Sequence, residues 1–323
     1  MISHVRSSAR RASLGLTLLE LLVALSLGVL IVAATIAAYL GMSEAARMTE
    51  AQARMDEDGR AALAVISANL RMAGNNPDRP WRVQPSKRNP VYGPSSYAVR
   101  GCDRKFDNVG TAATAQDLVC DAGGVAAPDS IAVTYEADRF NTVALPPGGA
   151  PTDCLGKPLD VINADLPVVV PPGPNATTQT VTFHVAENRF YIDSPGPDAA
   201  PSLYCKGNGA SSTPGPLVEN VEDLHLTFGT VPAAAPMDTA NIAGYLNASG
   251  VVNHTALDPL DEAARWGRVA AVRVCVVVRS DRPVVGGEGS ARFLKCDGSV
   301  ENSPPDARLR RTYSTTVVLR NRR

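Results

Sequence analysis

Few residues in this sequence combine in a pattern that could do chemistry on a bound molecule. The chain has four histidines, and no HExxH, GxSxG, P-loop or GxGxxG pattern occurs in it. His184 and His225 fall on the polar faces of strand-like segments, where a solvated side chain is expected. Asp258, Asp261 and Glu262 could touch Ca²⁺, but the EF-hand spacing is missing, which favours a solvated loop. The sequence therefore predicts no catalytic residue, no metal site and no cofactor.

Six cysteines are the residues best able to form covalent links within the chain. None forms a CxxC pair, so a zinc ribbon or a thioredoxin-like site is poorly supported. An even number of cysteines in a domain outside the cytoplasm indicates disulfides, and six reduced, buried cysteines are the alternative. Six cysteines allow many disulfide connectivities. A preference for pairing between cysteines that are neighbours in sequence predicts the bonds Cys102–Cys120, Cys154–Cys205 and Cys275–Cys296.

The composition argues against nucleic acid as a direct ligand. The formal net charge is −1, and aromatic residues make up only 5% of the chain. A nucleic-acid-binding domain normally carries a basic patch, and a single-strand platform needs aromatic side chains for stacking.

The amino-terminal segment has the length and composition of a membrane-spanning helix. No charged residue occurs in the 23 positions from 21 to 43. A helix of that length measures roughly 34 Å, enough to cross a hydrocarbon core of about 30 Å. Arg6, Arg10 and Arg11 precede the segment, which favours a cytoplasmic amino terminus with all later residues outside.

The start of this segment reads Gly15-Leu16-Thr17-Leu18-Leu19-Glu20-Leu21 and resembles the leader of type IV prepilins. Leu16 stands where that family usually has phenylalanine. The resemblance implies cleavage by a prepilin peptidase between Gly15 and Leu16, N-methylation of Leu16, and a role for Glu20 in assembly. A carboxylate one helical turn from the new amine also suits the positive end of the helix dipole. The alternative is an incidental carboxylate among the lipid headgroups.

Helix-forming residues continue beyond the apolar segment as far as Met72. Met55, Ala62 and Ile66 belong to one apolar stripe, and Gly74 followed by Asn-Asn-Pro predicts the end of the helix. Gly59 is expected to weaken the helix by roughly 1 kcal/mol relative to alanine. We expect the second half of this helix to pack on the domain that follows.

From Pro77 onward the sequence alternates between apolar and polar residues, as in β-strands. Strands are predicted at 130–135, 180–185, 190–192, 224–228, 269–279 and 313–319, with a hairpin turn at Glu187-Asn188. No helices of comparable strength alternate with them, which favours an antiparallel α+β domain. The predicted organisation is a leader at 1–15, a transmembrane half-helix at 16–43, a periplasmic half-helix at 44–74 and a disulfide-containing β-rich domain at 75–323.

Three segments near the carboxy terminus resemble PilW-type minor pilins. They begin at Leu217, Val272 and Leu309, and the last reads LRRTYSTTVVLR. The resemblance implies a long pilin helix, the first half transmembrane, on an antiparallel sheet domain. It also implies a structural role in initiating type IV pilus assembly, with the domain in the periplasm and later in or near the pilus tip. Implied partners are other minor pilins, the major pilin, a PilY-type tip adhesin, prepilin peptidase and the inner membrane.

Two other interpretations remain open at this point. A J-type minor pseudopilin of a type II secretion system would share the leader and a similar fold, although the carboxy-terminal segment favours the pilus. A membrane-anchored periplasmic enzyme is disfavoured, because no catalytic constellation can be assembled from the sequence.

Overall fold

A computed structural model describes residues 17–76, 97–123, 127–143, 149–169, 176–196, 199–284 and 291–322. The chain divides into two compact units, Met1–Glu50 and Ala51–Arg323. The predicted leader, with Gly15 and Leu16, lies outside the described residues.

Helix α1 runs from Leu18 to Met72. Its residues in the second unit bury one face, formed by Ala51, Met55, Gly59, Ala62, Ile66, Ser67 and Leu70. The helix ends where the sequence predicts, because Gly74 has a positive φ of 71° and its N–H donates to the Thr134 carbonyl oxygen, 2.9 Å away.

The described second unit also contains twelve strands, all in antiparallel pairs. They are β1 (Val99–Cys102), β2 (Ser130–Ala137), β3 (Ile162–Val169), β4 (Ala176–Asp193), β5 (Ser202–Lys206), β6 (Gly215–Glu219), β7 (Val221–Thr230), β8 (Gly244–Leu246), β9 (Val269–Arg279), β10 (Phe293–Leu294), β11 (Val300–Glu301) and β12 (Arg310–Val318). Two short helices, α2 (Ala248–Asn253) and α3 (Glu262–Trp266), lie between β8 and β9.

The strands form two main sheets. The larger has the order β1-β2-β4-β5-β6, with β3 pairing to the first half of β4, and the smaller has the order β12-β9-β7-β8. A separate hairpin joins β10 to β11. One buried cluster contains Met55, Ile66 and Leu70 of α1 together with Phe190 of the larger sheet and Leu224 of the smaller. The docked part of α1 thus shares its core with both sheets.

The three disulfides join Cys102 to Cys120, Cys154 to Cys205 and Cys275 to Cys296, with Cα–Cα distances of 5.6, 6.5 and 5.8 Å. They are the bonds expected from the sequence. The predicted fold class, a long amino-terminal helix with an antiparallel sheet domain stapled by disulfides, is confirmed.

The hairpin turn predicted at Glu187-Asn188 is wrong, because β4 runs through both residues without interruption. Glu187 and Asn188 are buried, with exposed fractions of 7% and 1%. Glu187 Oε1 accepts hydrogen bonds from the Arg189 guanidinium at 2.6 and 2.9 Å, and Oε2 accepts from the Ala115 N–H at 2.7 Å. These bonds satisfy a buried carboxylate, which therefore remains inside a strand.

Candidate assembly interface

The first unit presents a long apolar surface on α1. Fifteen large hydrophobic side chains between Leu18 and Met42 are 47–82% exposed. At roughly 1.5–3 kcal/mol for burying a fully exposed side chain of this kind, scaled to these exposures, the free energy available from covering them is on the order of 15–30 kcal/mol. Within the described residues α1 is the one helix long and apolar enough to cross a membrane.

Polar side chains within this surface are satisfied by the helix itself. The hydroxyls of Ser26, Thr35 and Ser43 donate to the carbonyl oxygens of Val23, Val32 and Leu40 at 2.8–2.9 Å. Such local bonds let a hydroxyl side chain lie in an apolar environment without an unpaired donor. The segment is thus compatible with lipid or with a covering of other apolar helices.

Glu20 closes the amino-terminal end of the helix. The Thr17 N–H donates to Glu20 Oε2 at 2.9 Å, while the Glu20 N–H donates to Thr17 Oγ1 at 3.2 Å. This reciprocal pair is a capping box, which satisfies two of the amide groups left free at a helix start. The Thr17 hydroxyl donates to the same Oε2 at 3.0 Å. The carboxylate is therefore oriented by its own helix. Leu16, whose amine the predicted cleavage would create, lies outside the described residues.

In the second unit, α1 packs tightly against Tyr313 of β12 at Gly59. A Cβ at this position would lie 2.4 Å from Tyr313 Cδ2 and 2.6 Å from Tyr313 Cγ. The Tyr313 hydroxyl donates to Asp56 Oδ1 at 2.6 Å, and the Arg311 guanidinium lies 3.0 Å from the same oxygen. Burial, followed by the neighbouring Asp56, raises the pKa of Tyr313. The glycine expected to weaken the helix is therefore required for the fit of the Tyr313 ring.

A second polar contact holds the carboxy-terminal part of α1. Asn188 Nδ2 donates to Asn69 Oδ1 at 2.8 Å, and Asn188 Oδ1 accepts from the Cys154 N–H at 3.0 Å. The Tyr135 hydroxyl lies 3.4 Å from both amide groups, and burial raises the pKa of Tyr135 to about 12. Because buried polar groups need specific partners, this network selects one position of the helix along the sheet.

The carboxy-terminal motif also contains a buried cation. The Arg310 side chain is 2% exposed and contacts two carboxylates. Its Nη2 lies 3.0 Å from Glu222 Oε1, its Nε lies 2.5 Å from Glu222 Oε2, and its Nη1 lies 2.7 Å from Asp306 Oδ1. The neighbouring Arg311 side chain is 60% exposed. Adjacent arginines of one motif thus have different surroundings.

The remaining titratable residues considered in the sequence have structural partners. His225 is not simply solvated, since its Nδ1 lies 3.3 Å from Asp129 Oδ2. This hydrogen bond raises the pKa of His225, and burial raises the pKa of Asp129. Asp258 pairs with Arg265, and the Asp261 side chain caps α3. Among the described residues, no group of three or more His, Cys, Asp or Glu side chains is placed to hold a metal ion.

The sequence did not single out Asp56, Asn69, Asn188 or the Tyr313 ring as contact residues. An isolated glycine within a helical pattern often has a packing reason, so Gly59 carried a usable signal. The amides carried none, because their partners are far away in the chain.

Comparison with known proteins places the similarity in the carboxy-terminal part. Residues 189–321 match the model of a family described as Type IV Pilus-assembly protein W. No curated protein matches the chain significantly. Among solved structures, a type IV-like pilin from Thermus thermophilus aligns at 12% identity with a TM-score of 0.25, covering 60% of this chain and 78% of that one. The resemblance to PilW-type proteins predicted from the sequence is therefore confirmed by the family match over residues 189–321.

Proposed function

We propose that this protein is a structural minor pilin of a type IV pilus, which helps to initiate assembly and lies in or near the pilus tip. The observation that carries the proposal is the PilW-family match over residues 189–321 in a chain that begins with a prepilin-like leader. The long exposed apolar helix supports the proposal, because filament subunits need such a surface for packing.

Residues 16–43 would anchor the newly made protein in the inner membrane, with the carboxy-terminal domain in the periplasm. The arginines before the segment support this orientation. Three disulfides in the second unit fit an oxidising compartment. After assembly the same apolar segment would pack against the helices of other subunits.

Prepilin peptidase would cut between Gly15 and Leu16, and Leu16 would be N-methylated. The capping box uses Thr17 and Glu20 only, so it would survive this cleavage. Glu20 Oε2 is occupied by Thr17, which leaves Oε1 to accept the amine of a neighbouring subunit. Glu20 would therefore act both within its own helix and between subunits.

The proposed role is structural rather than enzymatic, and the partners would be other pilus proteins. Other minor pilins, the major pilin and a PilY-type tip adhesin are the partners that the family resemblance implies.

Deletion of the gene in the native host tests this function. We expect loss of surface pili with normal type II secretion, and recovery of pili when the full-length gene is returned. A Glu20→Ala variant should keep its three disulfides but restore few pili, whereas Glu44→Ala, an exposed carboxylate beyond the apolar segment, should restore them. Normal piliation with exoproteins trapped in the periplasm would instead identify a pseudopilin.

A further inference from the structure

The loop of residues 138–143, which we name the Phe140 loop, carries the most exposed large apolar side chains of the described second unit. It directly follows β2. Phe140 is 82% exposed and Val143 is 76% exposed. No other large hydrophobic side chain described in this unit is more than 55% exposed. Covering these two side chains would remove apolar surface from water, which is favourable.

Hydrogen bonds hold the Phe140 loop in one conformation. Asp138 Oδ1 accepts from the N–H groups of Phe140 and Asn141 at 2.7 and 2.9 Å. Asn141 Oδ1 accepts from the Asp138 N–H at 2.7 Å, and Asn141 Nδ2 donates to the Glu136 carbonyl oxygen at 2.9 Å. The buried Thr152 donates through its hydroxyl to the Val143 carbonyl oxygen at 2.6 Å. The loop is therefore ordered before any partner binds, which lowers the entropic cost of association.

A positive charge accompanies the exposed ring. The Arg139 guanidinium lies 4.8 Å from the centroid of the Phe140 ring, within the range of a cation–π contact. Arg139 is exposed and forms no salt bridge with any residue that the structure describes. The loop thus presents an aromatic ring and an arginine together, and these residue types are enriched in binding hot spots.

Further apolar side chains are exposed where β3 begins. Ala137, the last residue of β2, pairs with His184 of β4, and Ile162, the first residue of β3, pairs with the adjacent Phe183. Val161 and Ile162 are 55% and 38% exposed. The Phe140 loop therefore projects from the same end of β2 beside which β3 starts.

We propose that the Phe140 loop inserts into an apolar pocket, bordered by carboxylates, on the folded domain of a neighbouring pilus subunit. The exposed ring fits a concave apolar partner, and the exposed Arg139 guanidinium, which has no salt bridge among the described residues, fits acidic groups on that partner. A rigid tip of two apolar side chains suits a preformed protein pocket better than a lipid surface, for which a broad apolar face is needed. The identity of the partner as a pilus subunit rests on the proposed function.

Site-specific photo-crosslinking of the full-length protein in its native host tests this surface. The photo-crosslinking amino acid p-benzoylphenylalanine replaces Phe140 in one strain and the exposed Asn302 in a control strain. We expect light-dependent adducts with another pilin-like subunit, identified by mass spectrometry, from position 140 but not from position 302. Adding Arg139→Glu should reduce the adduct about tenfold, corresponding to about 1.4 kcal/mol of binding free energy, whereas Arg139→Lys should largely retain it.

The outcomes separate this surface from the proposed function. Adducts with lipid alone, no adduct, or equal adducts at both positions would overturn the docking surface, provided that peptide mapping finds all three disulfides. If gene deletion abolishes pili but the protein substituted at position 140 gives no adduct, the proposed function stands and the docking surface is refuted. If gene deletion leaves pili normal and the protein substituted at position 140 forms an adduct with a pilin-like subunit of a secretion system, the surface is supported and the proposed function is refuted.

Discussion

Substitution of Gly59 by alanine tests how α1 is held on the domain. Helix propensity alone predicts that Gly59→Ala stabilises the protein by roughly 1 kcal/mol. The structure predicts the opposite sign, because the new Cβ would lie 2.4 Å from Tyr313 Cδ2. The ring cannot move freely, since its hydroxyl is bonded to Asp56 at 2.6 Å and Tyr313 pairs with Val276 in the sheet.

The magnitude follows from these two contributions. Overpacking a fitted core typically costs about 1–3 kcal/mol, and displacing the ring would weaken a hydrogen bond to a carboxylate worth about 1.5–3 kcal/mol. After the propensity gain is subtracted, we expect a net destabilisation of about 1–3 kcal/mol. For a domain of this size that lowers Tm by roughly 2–10 °C.

Thermal and denaturant unfolding of the full-length protein in detergent, with disulfides intact, measures this change. Gly41→Ala is the matched control, because nothing lies within 4 Å of its added Cβ. We also expect Gly59→Ala to be neutral or stabilising in a Tyr313→Leu background, which a double-mutant cycle would show. If Gly59→Ala raised Tm as much as a simple propensity gain requires, the close contact with Tyr313 would be refuted.

Three further predictions concern charges and covalent links. Arg310→Ala should destabilise the protein by about 2–4 kcal/mol, because it removes a buried cation from two carboxylates. Arg311→Ala should cost no more than about 1 kcal/mol, because that side chain is exposed. Equal losses of Tm in the two variants would contradict this difference in burial. His225→Gln should reduce stability below pH 6.5, and the difference from the unmodified protein should disappear as pH rises through the raised pKa of His225. A difference that instead grew with pH in parallel unfolding titrations would reverse the assigned effect of Asp129. Non-reducing peptide mapping should recover the three described disulfides, each stabilising the domain by about 3–4 kcal/mol in the chain-entropy model. Six free thiols would also overturn the proposed periplasmic location.

The sequence predicted those elements whose patterns are local. The run 269–279 is β9 with the same bounds, and Leu224, Leu226 and Phe228 are buried on one face of β7 as the alternation indicated. The end of α1 was predictable because a glycine that allows positive φ follows the last apolar turn.

Features that depend on distant contacts were not predictable from local patterns. Glu187 and Asn188 have the composition of a turn, but their hydrogen-bond partners include Ala115, 72 positions away, and Asn69, 119 positions away. Gly59 contacts a tyrosine from the last strand, so its penalty in an isolated helix did not indicate its packing role. In both cases tertiary contacts outweigh local propensity.

The mass of the mature chain recovered from sheared pili tests the central proposal most directly. Intact-mass analysis of filaments from the native host should find the protein beginning at Leu16, with one added methyl group at its amino terminus. A chain that still begins at Met1, or one cleaved after the apolar segment and absent from the filaments, would contradict the assignment as a pilus subunit.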